Sequence, residues 1–296
     1  MTDGNTEAAQ DCVWEVDGLR LAGRIWGPAD GTPVLALHGW MDHADSFHEL
    51  APRLAGCRVV ALDLSGQGLS DHRAAHATYN IWDDLPQIAE LLDLLGWQDC
   101  VLLGHSRGAN IAGLFAAAQP DRVRALIALD SLVPEPDPDE TIVTTLTAFI
   151  EQTRKQKARP PRLFPSSEAY IERRTAQGNA RRTSEALAAR ALEPHPEGVR
   201  MRGDPRLFAR SAVKLKQADV EAVMRAWRCP VLNLWATDGI RSKRPAVAQL
   251  AARAEALVAR YETAEIAGDH HFHLEPAAAG EIAEAVRAFL DRHGCR

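Results

Sequence analysis

Residues 104–108 read Gly-His-Ser-Arg-Gly, and their flanks decide how the chain must bend there. Cys100-Val101-Leu102-Leu103 before them is apolar. Ala109 to Gln119 after them is rich in small and apolar helix formers. The pattern is strand, sharp turn and helix, with Ser106 at the apex. Such a turn strains the serine backbone, and a Cβ on either flanking glycine would collide with the neighbouring strand or helix. The serine oxygen is thereby held clear of the backbone, and the helix N-terminus behind it favours developing negative charge.

Other short apolar runs end in polar or glycine-rich turns. Pro33 to Leu37 ends at His38-Gly39-Trp40, and Arg58 to Leu62 ends at Asp63-Leu64-Ser65-Gly66-Gln67-Gly68-Leu69-Ser70. Val123 to Leu129 ends at Asp130, Val231 to Leu234 near Asp238, and Ala264 to Ile266 at Gly268-Asp269-His270. Ser46 to Ala55, Asn80 to Leu95, Arg244 to Val258 and Ala277 to His293 carry helical spacing between them. Apolar runs that alternate with helices imply an α/β fold: a mostly parallel sheet covered by helices on both faces. Val13 to Trp26 reads as a hairpin turning at Asp17-Gly18.

The strand rhythm breaks between residues 134 and 228. Pro134-Glu135-Pro136-Asp137-Pro138 is a rigid exit. The segment after it is helical in composition and carries 18 Lys+Arg against 13 Asp+Glu, in a chain of net charge −6. Three parts are expected: a first core portion, 1–133; a helical cap insertion, 134–228; and a second core portion, 229–296. A charge-rich helical surface is ordinarily solvated, so the basic cap is weak support for an anionic substrate.

Bulk properties exclude several classes. The net charge of −6 gives no reason to expect nucleic-acid binding. No apolar run approaches a membrane span, and Met1 to Asp11 is polar, unlike a secretory or transit leader. Five scattered cysteines without metal-like spacing suit reduced thiols, so a cytoplasmic location is expected. No nucleotide-binding fingerprint appears, so no organic cofactor is implied. His270, His271 and His273 raise a metal reading. In an extended segment His271 and His273 project to opposite sides, and no acidic partner set accompanies them, so no metal is expected.

The strand-turn-helix setting of Gly104–Gly108 resembles the nucleophile elbow of the α/β-hydrolase fold. That resemblance implies a triad in the order Ser, Asp or Glu, His, with an inserted helical cap. Gly268-Asp269-His270-His271-Phe272-His273-Leu274-Glu275-Pro276 resembles the superfamily's histidine run, whose first histidine aligns with His270; His271 and His273 remain alternatives. The preferred acid is Asp238, at the usual location, although Leu234-Trp235-Ala236-Thr237-Asp238-Gly239 is one residue short of the usual pattern. The alternative acid is Asp130 in Leu129-Asp130-Ser131, and the carboxylate not used is expected to bind loop backbone N–H groups. The oxyanion hole is assigned to the backbone N–H groups of Arg107 and Trp40, with the Trp40 side chain walling the acyl pocket. His38 braces its loop, Asp63 to Ser70 shapes a tight turn, and His273 with Glu275 packs or caps a helix. The Arg107 side chain is expected to pair with a cap carboxylate rather than contact substrate.

Gly-His-Ser-Arg-Gly-Ala, Arg202-Gly203-Asp204-Pro205-Arg206-Leu207 and the His270–Glu275 run are similar to those of the serine hydrolase-like proteins. Haloalkane dehalogenases and epoxide hydrolases of this fold use an aspartate at the elbow, where this chain has Ser106. The implied activity is hydrolysis of a carboxylic ester through an acyl-enzyme, on a small-molecule acyl substrate. Thioester, lactone or carbon–carbon hydrolysis and perhydrolysis use the same groups, and a catalytically silent ligand-binding protein is a further reading. Oligomeric state has no sequence signal.

Overall fold

The computed structural model describes residues 9–137 and 142–296. The polar start of the chain falls largely on residues 1–8 and, like Pro138, lies outside the described residues. The first strands form the expected hairpin, β1 (Gln10–Val16) and β2 (Leu19–Trp26). Asp17 and Gly18 both have positive φ, as a two-residue hairpin turn of this hand requires. There follow β3 (Thr32–Leu37), β4 (Cys57–Leu62), α1 (Asp84–Leu94), β5 (Cys100–His105), α2 (Arg107–Ala118) and β6 (Val123–Leu129). The inserted segment contributes α3 (Ile142–Lys157), β7 (Leu163–Phe164), α4 (Ser167–Ala176), α5 (Arg181–Ala191), β8 (Leu192–His195) and β9 (Gly198–Met201). The chain closes with α6 (Gln217–Ala226), β10 (Val231–Asp238), α7 (Ile240–Lys243), α8 (Pro245–Leu257), β11 (Tyr261–Asp269) and α9 (Pro276–Arg292).

The main sheet has eight strands in the order β1-β2-β4-β3-β5-β6-β10-β11. Pairings from β4 to β11 are parallel, and the hairpin adds to β4 antiparallel. Strand residues alternate between two apolar layers, as period-two geometry demands. Leu102, Leu126 and Trp235 pack with Phe115 and Ile111 of α2 on one face, while Val101, Ile127 and Leu234 pack with Ile282 and Phe289 of α9 on the other. Both faces are dry, which accounts for strands that read as continuous apolar runs. Successive connections leave β3 toward β4 and then return to β5 on its other side. This reversal opens a crevice at the carboxyl ends of the strands, where open α/β sheets place their sites.

Three expectations are corrected. Ser46 to Ala55 is not an α-helix but two separate 3-10 turns, Ala44–Phe47 and Ala51–Arg53. Pro52 has no N–H to give to the carbonyl one turn back, and its ring blocks that carbonyl. The insertion is not wholly helical, because β7, β9 and β8 form a small antiparallel sheet. Finally, α6 belongs with the core rather than the cap. Val220 and Met224 are fully buried in the same layer as α2, and Trp227 Nε1 donates to the Gly113 carbonyl at 2.7 Å.

The insertion is fastened to the core by polar contacts. Arg190 of α5 reaches Asp63, at the end of β4, with Nε donating to Oδ2 at 2.8 Å. Asp63 also accepts from the backbone N–H groups of Ala44 and Leu69. Tyr79 Oη donates to Asp204 Oδ2 at 2.9 Å, and Arg206 donates to the carbonyls of Arg73, Ala74 and Ala77. The Arg202–Leu207 stretch and the Asp63–Ser70 turn are therefore two sides of one joint. Among the described residues no helix is long and apolar enough to cross a membrane. All five cysteines are free thiols.

Candidate active site

Ser106 sits between β5 and α2 with φ 51° and ψ −117°, a conformation costly for a residue with a side chain. Its flanking glycines leave no room for anything larger. A Cβ on Gly108 would lie 1.9 Å from the Leu37 carbonyl oxygen, and one on Gly104 would lie 2.4 Å from the Ala109 backbone. The serine hydroxyl donates to His270 Nε2 at 2.9 Å. His270 Nδ1 in turn donates to Asp130 Oδ2 at 2.6 Å. Serine, imidazole and carboxylate thus form one continuous hydrogen-bond line, the arrangement that activates a serine oxygen.

The acid in this line is Asp130, which corrects the preference for Asp238. The Asp238 side chain is 73% exposed and pairs with Lys243 at 3.1 Å. The local backbone explains the difference. β10 shifts register between Ala236 and Asp238, and Gly239 N–H closes directly on the Ala236 carbonyl before α7 begins. No loop remains to carry Asp238 back toward His270. Asp130 instead turns inward on a positive φ of 44°. Its carboxylate is fully buried and accepts from the N–H groups of Ala236 and Ile240 as well as from His270. The backbone-binding role expected of the unused carboxylate is therefore performed by Asp130 itself. Gly239 permits this approach, since a Cβ there would meet Asp130 Oδ1 at 2.2 Å.

β3 and β5 are paired neighbours, so the turn after Leu37 lies beside the elbow. Trp40 and Gly39 line a cavity with Ser106 and His270. Arg107 follows the serine as the first residue of α2. The Trp40 ring is partly exposed, meets Phe208 edge-on at 4.8 Å, and donates Nε1 to the Leu207 carbonyl. It therefore also ties the site to the insertion. The Arg107 side chain donates to Asp84 Oδ2 at 2.8 Å. Asp84 belongs to α1 of the core, so the expected cap partner is corrected.

Three further histidines, His38, His105 and His273, are buried and held neutral. His38 donates Nδ1–H to the Gly39 carbonyl and accepts the Leu64 N–H on Nε2. Burial lowers its pKa to about 4 despite the nearby Asp63. Burial and neighbouring imidazoles hold His105 well below the usual histidine range. His105 Nε2 donates to the His270 carbonyl at 2.8 Å, which fixes the backbone of His270. His273 is fully buried against His105 and Phe47, and burial depresses its pKa as well. Its role is packing; neither it nor Glu275 caps α9 through a side chain.

Sequence reasoning missed Asp42, which is 2% exposed behind the Trp40 turn. Its Oδ2 lies 3.3 Å from His271 Nε2 and 3.7 Å from His105 Nδ1, and its Oδ1 lies 3.8 Å from Arg174 of α4. Burial works to raise its pKa, but His271 and Arg174 keep the carboxyl well below the usual range. Also missed were Gln177 and Asn179, which line the cavity from just beyond α4. No local motif marks any of them.

Two cavities meet at Ser106 and His270. One, of about 140 Å³, has an apolar wall of Leu132, Val133, Trp235, Ile240, Val247 and Leu250, with Asn110, Ser131, Glu135 and Arg244 completing its lining. The other, of about 260 Å³, is shared between the Trp40 turn and the end of α4, which brings Arg174, Gln177 and Asn179 to it.

Comparison with known proteins agrees with this architecture. A family model described as alpha/beta hydrolase fold matches residues 32–277. A serine hydrolase-like protein of Dictyostelium discoideum is 30% identical over 281 residues, spanning 88% of this chain and 76% of its own. A serine hydrolase-like protein of Danio rerio is 28% identical over 96% of this chain and 89% of its own. Among solved structures, a hypothetical protein of Pseudomonas aeruginosa PAO1 superposes with TM-score 0.90 at 35% identity, covering 96% of this chain and all of that one. A thioesterase domain from the curacin biosynthetic pathway shares the fold, with TM-score 0.81 at 24% identity over 95% of this chain and 100% of that domain. Carrying both the fold and the names of its relatives, the chain belongs to the α/β-hydrolase family, resembles the serine hydrolase-like proteins within it, and has the marks of a hydrolase.

Proposed function

We propose that the protein hydrolyses a carboxylic ester of a small or medium substrate through an acyl-enzyme at Ser106. The observation that carries this reading is the hydrogen-bond line from Asp130 through His270 to Ser106. His270 takes the serine proton as Oγ attacks the substrate carbonyl. The tetrahedral oxyanion is stabilised by the N–H groups of Arg107 and Trp40. His270 then gives the proton to the departing alcohol and activates water to release the acid. Asp130 holds the imidazole in the tautomer that presents a lone pair to Ser106 and balances its charge when protonated.

The two cavities suggest how a substrate lies. The smaller one, with Leu132, Val133 and Trp235 in its wall, suits a short aliphatic or small aromatic group. The larger one, bordered by Arg174, Gln177 and Asn179, suits the more hydrophilic part. Hydrolysis of p-nitrophenyl esters across acyl lengths tests the reading, with fluorophosphonate labelling alongside. Wild type should label and turn over, with rates falling once the acyl chain outgrows the smaller cavity. Ser106→Ala and His270→Ala should lose at least about 10³-fold in kcat. A folded wild type that neither labels nor turns over would remove the esterase reading. Relative kcat/KM for matched ester, thioester and lactone substrates identifies the preferred leaving group.

A further inference from the structure

Asp42, His105 and His271 come from three distant parts of the chain, the β3 turn, the end of β5 and the loop after β11. They bring one carboxylate oxygen and two imidazole nitrogens within 4.8 Å of one another. Asp42 and His105 are buried, and His271 is nearly so. Neither oxygen of Asp42 nor Nδ1 of His105 has a hydrogen-bond partner among the described residues. The 3.3 Å approach of His271 to Asp42 is close enough for an ion pair but is not aligned as a hydrogen bond. Buried polar atoms are ordinarily satisfied, so several left open at one point need a cause.

The His105 tautomer sharpens the problem. Its Nε2 faces the His270 carbonyl, which can only accept, so Nε2 carries the hydrogen. In the neutral ring the lone pair is then on Nδ1, directed at Asp42 Oδ2 across 3.7 Å. Two buried acceptors face each other with no donor between them. Space exists between them only because residue 39 is glycine. A Cβ there would sit 2.8 Å from Asp42 Oδ2 and 2.9 Å from His105 Nδ1.

We propose that Asp42 Oδ, His105 Nδ1 and His271 Nε2 form a site for a divalent transition-metal ion beside the reaction centre. The ligand set suits zinc, cobalt or nickel better than magnesium or calcium, which prefer all-oxygen shells. Zinc bonds of about 2.0–2.1 Å place tetrahedral ligand atoms about 3.4 Å apart. The 3.3 and 3.7 Å separations bracket that spacing. His271, the most exposed of the three, closes the remaining edge by turning about its side-chain bonds. His105 is already oriented by its second nitrogen, as metal-bound histidines are. Arg174 approaches the other carboxylate oxygen, Oδ1, at 3.8 Å and competes with an ion for Asp42. The rings of His270 and His273 complete the surroundings.

The open coordination position faces the cavity that holds Ser106 and His270. On the reading of the site as a hydrolase, an ion there obstructs substrate and opposes the positive charge His270 must acquire. Occupancy should therefore inhibit reversibly, and a chelator should restore activity.

Cobalt(II) titration tests the site independently of turnover. Chelator-treated wild type and Ser106→Ala should both develop the visible d–d bands of a four-coordinate ion, saturating at one per chain. Asp42→Asn and His271→Gln should each lose them. If Asp42→Asn fails to fold, the partly exposed His271→Gln decides alone. A folded wild type with no bands, bands that persist in His271→Gln, or a sulfur charge-transfer signature would overturn the proposal. Bands in Ser106→Ala without esterase activity in wild type would uphold the ion site while removing the ester reading.

Discussion

At the residue scale, the site depends on atoms that are absent as much as on those present. Gly108 lets the start of α2 lie directly against the end of β3. In Gly108→Ala the new Cβ meets a carbonyl oxygen, not a flexible side chain, so the backbone itself must move. Overpacking of this kind costs about 1–3 kcal/mol, and a 1 Å displacement of reacting groups costs about 10²-fold in rate. Gly108→Ala is expected to lose both stability and kcat, measured by denaturant titration and ester kinetics. Unchanged values would show that the elbow has slack. Ser106 and His270 were legible in the sequence because each lies inside a contiguous run whose neighbours shape it. The acid was not. Asp130 and Asp238 both end strands, and the choice depends on a register shift in β10 and a positive φ at Asp130, neither of which has a local signature. Asp42 was illegible for a different reason: its partners His105 and His271 are adjacent only after the sheet has formed.

At the element scale, the strands were readable from apolar runs because both faces of the sheet are buried. The hairpin was readable from its Asp-Gly turn. The failures occurred where a tertiary contact outweighs local composition. α6 follows the insertion with no local break in composition, yet its apolar side docks on α2, and β7 is only two residues long. The Arg190–Asp63 pair is the main polar rivet between insertion and core, and Asp63 is fully buried. Arg190→Ala leaves that carboxylate without its cation, a loss of about 3 kcal/mol or more. Arg228→Ala removes a pair whose members are 71% and 90% exposed, and should cost less than about 1 kcal/mol. Urea denaturation of the two variants should separate them clearly. Equal midpoints would mean that the insertion is held chiefly by its apolar contacts.

At the scale of the whole molecule, the charge imbalance noted in the sequence acquires a structural use. Basic residues of the insertion meet acids on the core: Arg182 with Glu49, Arg190 with Asp11 and Asp63. Part of the insertion's basic charge is thus directed toward the core rather than offered to a substrate. Buried histidines set the pH response. His38 has a folded pKa of about 4, below the ordinary 6.5, so the unfolded chain takes up its proton first. Stability is then full above about pH 6.5 and falls as pH drops toward 4, with His38 alone contributing about 3 kcal/mol. His105 and His273 act in the same direction. Denaturant titrations from pH 7 to about pH 5 should show this decline, and His38→Gln should flatten it. Parallel curves for the two proteins would place the acid sensitivity elsewhere.

The central claim is that Asp130 holds His270 for attack by Ser106, while Asp238 is a surface residue. The most direct measurement is the rate of fluorophosphonate labelling and ester turnover in Asp130→Asn beside Asp238→Asn. The account predicts a loss approaching about 10⁴-fold in kcat for Asp130→Asn, through the wrong imidazole tautomer, and near wild-type rates for Asp238→Asn. The reverse pattern, with Asp238→Asn silent and Asp130→Asn active, would contradict it.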